Sequence, residues 1–360
     1  MSIFIDFHVL QTVPPSCVNR DDTGSPKTAV YGGTVRARVS SQAWKHAMRS
    51  EFKNLFKEEE LGSRTKNVVE MIENEMIKAG CESDDKEIHK KAVDALKLAG
   101  IDVKSKKDEP EKADALFFMS SQQAKAIAEH ALSLDLKAAE SKNILKKDLK
   151  ENPSVDIALF GRMAASDPTL NYDAAAQVAH AISTHAVQNE YDYFTAVDDL
   201  QDDDNAGAGH LGTVEFNSST LYRYATVNAS ELEKTLGKDQ VAEVVKKFGQ
   251  AFICSMPTGK ENSFANRTFP DTVYVTIRKD QPVNLCGAFE APVKKSSNGY
   301  AEASEKELAK QAEKVYSRFA AKPIKAFCIG DSFDADTASL PLDELLNELE
   351  KAVDAELNEV

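Results

Sequence analysis

A chain of 360 residues with 42% hydrophobic residues, a mean hydropathy of −0.40 and a net charge of −14 is neither a disordered polymer nor a nonspecific basic nucleic-acid binder. No apolar run is long enough to cross a bilayer. The first residues, MSIFIDFHVLQ, alternate like a strand and lack the marks of a signal peptide, so a cytoplasmic protein with no membrane partner is expected.

Residues 2–10 read as a first strand, with Ile3, Ile5, Phe7 and Val9 on one side. Residues 11–31 follow as a long connection carrying Asn19-Arg20-Asp21-Asp22 and Lys27, and long ordered connections are often binding loops. Thr34, Arg36 and Arg38 then alternate with Val35, Ala37 and Val39, so a strand would show cations on one face. Ser40-Ser41 can cap a helix whose Trp44, Ala47, Met48, Phe52, Leu55 and Phe56 form a stripe. Gln42, Lys45, Arg49 and Lys53 lie opposite that stripe. Residues 20–53 hold seven Lys/Arg and three Asp/Glu, a local charge of +4. No glycine fingerprint or catalytic set accompanies them, so a phosphate backbone fits better than a small metabolite. A solvated helix with ordinary surface cations is the competing reading.

Residues 61–152 are rich in Lys, Glu and Ala and read as helical, with no strand of consequence. Lys142, Lys146, Lys147 and Lys150 form a basic patch there, open to a nucleic acid or simply balanced by nearby acids. Residues 172–186 are expected to be a helix. Its His180 and His185 are five apart and lack the four-residue spacing of a zinc-binding pair. An acidic, glycine-bearing loop and an extended β-arm follow, then a long helix over 230–256 capped by Ser230. Strands at 272–277 and 326–329 enclose a helix at 301–319. A terminal acidic helix, 342–357, has a stripe of Leu345, Leu346, Leu349 and Val353 that needs a cover. Cys17, Cys81, Cys254, Cys286 and Cys328 are widely spaced with no CxxC, against a zinc site or a disulfide scaffold. The element order β-α-β-β-α-β, with a helical insertion, is that of an α+β protein with a ferredoxin-like core.

The segments MSIFIDFHVLQTVPPSCVNRDDTGSPKTAVYGGTVRARVSSQAWKHAMR, VDIALFGRMAA, AAQVAHAISTH, DYFTAVDDL and GHLGTVEFNSSTLYRYATVN resemble, in order, the CasC backbone-subunit family of the type I-E CRISPR Cascade complex. The resemblance implies a ferredoxin-like (RRM-like) palm over 1–60 and 181–360, a helical fingers domain over 61–180 and a β-hairpin thumb over 193–224. It implies a non-catalytic protein without cofactor or metal, whose copies stack along one CRISPR RNA and present it to a target DNA strand. The implied neighbours are the large subunit, the small subunit, the 5′-handle binder and the crRNA-processing endonuclease.

Carried onto this chain, RNA contacts are expected from Arg20, Lys27, Arg38, Ser40, Gln42, Lys45, His46, Arg49, Arg162 and Met163. His46 stands where the family often has an arginine. The thumb would use Phe194, Val197, Leu200, His210 and Leu211, and the four fingers lysines would touch DNA. An RNA-cleaving relative using Asp21, Asp22 or His8, and an acidic protein-interaction module, are the alternatives.

Overall fold

The computed structural model describes residues 2–82, 86–106, 109–164, 166–196, 210–333 and 337–359. The chain divides into two compact units, one made of 1–51, 178–226 and 245–360, the other of 52–177 and 227–244. Segment 227–244, assigned to the palm from sequence, clusters with the second unit.

The first unit is built on a sheet containing β1 (Phe4–Ser16), β2 (Thr28–Tyr31) and β3 (Thr34–Val39). From one edge the order is Ala338–Ser339, Lys325–Ile329, Thr272–Arg278, β1, His210–Asn228, Ala181–Ser183, β3, β2. Strand β1 is central, which explains why residues 5–11 are all buried rather than alternating. Its polar side chains find partners there. The Tyr224 hydroxyl donates to Asp6 Oδ1 at 2.9 Å, and His8 Nδ1 lies 2.9 Å from the Tyr222 hydroxyl. Burial holds the His8 pKa down to about 3, so the ring is neutral. Because β1 runs on to Ser16 and β2 begins at Thr28, the connection expected over 11–31 shrinks to 17–27.

The helix expected over 172–186 is absent; strands Ala176–Val178 and Ala181–Ser183 take its place. Leu221 and Tyr222 pair with Ser183 and Ile182, and Arg38 and Val39 pair with Ile182 and Ala181. A gap between two strands supplies backbone partners that outweigh the helix preference of an alanine-rich stretch. In the terminal helix Leu342–Asn358, the expected stripe is buried within this unit, and Lys246 binds Glu350 at 2.6 Å.

The second unit packs helices Val68–Lys78, Lys86–Ala99, Ser121–Ser133 and Ala139–Asp148 around Ile72, Met76, Leu96, Ile127 and Leu145. Two short strand pairs interrupt the expected helical run: Gly62–Thr65 with Phe117–Ser120, and Val103–Lys106 with Glu109–Ala113. Phe117, Phe118 and Met119 are all buried, and a run apolar on both faces suits a short strand better than an amphipathic helix. Ser120 and Gln123 close a capping box, so the helix starts at Ser121. The helix expected over 230–256 is two, Ala229–Leu236 and Lys238–Cys254, split at Gly237 (φ +83°) and capped by Asn228 rather than Ser230.

His89 joins three elements of this unit. Its Nδ1 is 2.5 Å from Glu73 and its Nε2 is 2.9 Å from Glu111, so both nitrogens donate when the ring is charged. Burial lowers its pKa, but the hydrogen bonds to Glu73 and Glu111 outweigh burial and raise it. Stability from this pair is complete below the ordinary histidine value of about 6.5 and is lost as pH rises through the raised value. Thermal melts should show the wild type losing about 1 kcal/mol on passing from pH 6 to pH 9, with H89Q flat over that range.

Candidate nucleic-acid interface

In the first unit, residues 17–27 are folded back on themselves. The Asp21 carboxylate accepts from the Thr23 hydroxyl (2.7 Å) and from the Thr23 and Ser25 amides (2.9 and 3.0 Å), and these bonds hold it below the usual carboxylate range. Arg20 and Pro26 form a β-bridge, and the Lys27 amide donates to the Asn19 carbonyl at 2.9 Å. The Arg38 amide in turn donates to the Lys27 carbonyl at 2.9 Å. This loop therefore seats Lys27 against β3. Lys27 and Arg38 line a shallow, open groove with Asn19, Pro26, Asn217 and Ser219. Arg20 is exposed.

The three alternating residues of β3 have separate fates. Arg36 is fully buried, and its guanidinium donates to Thr34 Oγ1 (2.8 Å) and to the carbonyls of Ser183 (2.9 Å) and Phe289 (2.9 Å). Arg38 is half-buried; its Nε donates to the Thr28 carbonyl at 3.0 Å, and its Nη1 is 3.3 Å from His180 Nδ1. Burial, then the charges of Arg38 and Lys27, lower the His180 pKa. The turn between β2 and β3 needs glycine: a Cβ on Gly32 (φ +56°) would lie 1.6 Å from the Glu290 carbonyl oxygen.

Helix α1 (Ser41–Leu55) buries Trp44, Ala47 and Met48. The Arg223 guanidinium sits 3.8 Å over the Trp44 ring and donates to Gln11 at 2.6 Å. On the other side Gln42 and His46 are exposed, while Lys45 and Arg49 are half-buried. Burial lowers the Lys45 pKa. Ser40 is not on that surface: it is buried, and its hydroxyl accepts from the Ala43 amide at 3.3 Å, so it caps α1 instead of facing an RNA.

The sheet also sends out a hairpin, Glu190–Ala196 paired with His210–Phe216 in register from Glu190↔Phe216 to Ala196↔His210. Tyr191 and Tyr193 are exposed on one face of it. Phe194 lies over Gly212, where a Cβ would be 2.4 Å from its ring. His210 and Leu211 belong to the second strand; Val197 and Leu200 lie outside the described residues.

In the second unit, Arg162 is buried and not available to touch RNA directly. Its guanidinium donates to the carbonyls of Phe118 (3.1 Å), Leu149 (2.6 Å) and Leu170 (2.9 Å) and to Gln123 Oε1 (3.1 Å), between the rings of Phe117 and Tyr172. Burial lowers its pKa to about 10. Beside it Met163 is 83% exposed, so a clamped arginine displays an unclamped methionine. Among the fingers lysines, Lys146 is engaged by Asp167 at 2.5 Å and Lys147 lies 3.6 Å from Glu151. Lys142 and Lys150 are exposed, and the helix ends at Asp148, so Lys150 lies beyond it.

Among the described residues no group of three or more His, Cys, Asp or Glu side chains converges as a metal site, and no helix is long and apolar enough to cross a membrane. The five cysteines are free. His180 lies between the strands Ala176–Val178 and Ala181–Ser183, and its place beside Arg38 depends on sheet pairing that residue spacing does not display.

A mixed α/β protein with a large, mostly antiparallel sheet is the class these features define. The chain belongs to the CT1975-like protein family, whose model it matches over residues 5–354. It is similar to a chain of the solved structure titled "CRISPR RNA-guided surveillance complex, pre-nicking", at 31% identity and a TM-score of 0.84, covering 97% of this chain and all of the other. A chain titled "CRISPR RNA-guided surveillance complex" is similar at 27% identity and a TM-score of 0.63, covering 97% and 99%. No curated protein matches it. The resemblance read from the sequence motifs agrees with these matches.

Proposed function

We propose that this protein is a cytoplasmic, non-catalytic guide-RNA-binding backbone subunit of a Cascade-type surveillance complex, copies of which line up along the CRISPR RNA. In this reading the first unit is the RRM-like palm, the hairpin Glu190–Ala196/His210–Phe216 is the thumb, and the second unit holds the fingers. The CRISPR RNA, the target DNA strand and the other Cascade subunits are the partners. The observation that carries the reading is the groove that Lys27 and Arg38 both line, their backbones joined by a hydrogen bond of 2.9 Å. A spacer differs in every guide, so a backbone subunit must grip phosphate and 2′-OH and leave base edges free. Cations in a groove do the first. Exposed Met163 offers a soft surface that any base can pack against.

Two features favour binding over cleavage. The Asp21 carboxylate accepts three bonds from its own loop, and His8 is buried and neutral. A salt titration of RNA retention tests the reading. Replacing Lys27, Arg38, Lys45 and Arg49 together by alanine should lower the slope of log K against log salt by about 0.7 for each phosphate no longer neutralised, whatever the guide sequence. An unchanged slope and unchanged retention would remove the proposal.

A further inference from the structure

His180 is exposed and lies beside Arg38, one of the two cations that line the groove. Its Nδ1 is 3.3 Å from Arg38 Nη1, a guanidinium that can only donate, so in the free protein this nitrogen is an acceptor and carries no proton. The charges acting on the ring are those of Arg38, from β3, and Lys27, from the loop before β2. Both are cationic and both oppose a third charge.

We propose that His180 is a third cation of this groove, protonated when an RNA phosphate enters it, so that each copy takes up a proton as it grips the guide. This rests on the guide-RNA reading above. A phosphate between Lys27 and Arg38 offsets the repulsion that keeps the ring neutral. The proton comes from solvent and goes to Nδ1. That nitrogen then stops accepting from Arg38, and the Arg38 N–H it occupied turns to the phosphate. One proton uptake therefore supplies two donors, the imidazolium and the released guanidinium N–H. Burial and two neighbouring cations lower the free pKa of His180, so the free ring gives up its proton more readily than an ordinary histidine and the bound phosphate must restore it.

The test uses the full chain and a single-stranded oligouridylate at fixed salt, with affinity measured from pH 5.5 to pH 8. Calorimetry in two buffers of different ionisation heat counts the protons. Wild type should gain about tenfold in affinity per bound copy between pH 7.5 and pH 5.5, with proton uptake on binding. H180Q should flatten this profile, and H180K should bind tightly across the whole range. A slope that survives in H180Q, or that disappears in H46Q instead, overturns the proposal. If the K27A/R38A double variant binds RNA as wild type does at every pH, the guide-RNA reading fails rather than the role of His180.

Discussion

Arg162→Ala is expected to destabilise the second unit by about 3–5 kcal/mol, read as a lower midpoint in urea unfolding with the change largest in that unit. The side chain donates to the Leu149 and Leu170 carbonyls, the Phe118 carbonyl and Gln123, and its plane fills the space between the Phe117 and Tyr172 rings. Truncation leaves buried acceptors without this donor and opens a cavity between two rings; each unmet buried acceptor costs about 1–3 kcal/mol. Holding a guanidinium in the interior is itself unfavourable, as its lowered pKa shows, which keeps the net loss below the sum of the bonds. Arg162→Lys should restore little, because one ammonium cannot reach acceptors spread around a planar fork. A midpoint within experimental scatter of wild type for Arg162→Ala would show that the clamp carries no stability.

Arg36→Ala and Arg38→Ala should separate stability from RNA binding, although the two arginines are neighbours on one face of β3. Arg36→Ala is expected to cost about 3 kcal/mol, because the Ser183 and Phe289 carbonyls lose their donor in the interior. Arg38→Ala should stay within about 0.5 kcal/mol of wild type, as half-exposed positions do, and should still weaken RNA retention. Thermal melts and retention on the same preparations decide it. Equal melting losses for both variants would contradict this division of roles.

That pair also marks where a linear reading stops. Alternation along 34–39 identified a strand with Thr34, Arg36 and Arg38 on one side, and the strand is there. Period-two spacing says which side chains share a face; it does not say that another segment covers half of that face. Residues 289–290, far along the chain, close over Arg36 and leave Arg38 open. Residues 172–186 depart from the expected helix for a related reason. Their alanines suit a helix locally, but the neighbouring strands offered pairing partners that composition does not display. Gly161-Arg162-Met163 reads as one motif, yet its arginine faces inward and its methionine outward.

The amino-acid sequence alone established the family through motifs spread over nearly the whole chain, the cationic strand and helix at 34–55, the amphipathic terminal helix and the extended arm after 210. These are properties of local period, propensity and residue order, which a chain carries before it folds. Tertiary structure decided where each cation sits: Lys27 and Arg38 line a groove, Arg36 and Arg162 hold the interior, Lys146 is engaged by Asp167, and His180 meets Arg38. The reason is that exposure and charge pairing depend on segments distant in sequence, and only packing brings those segments together.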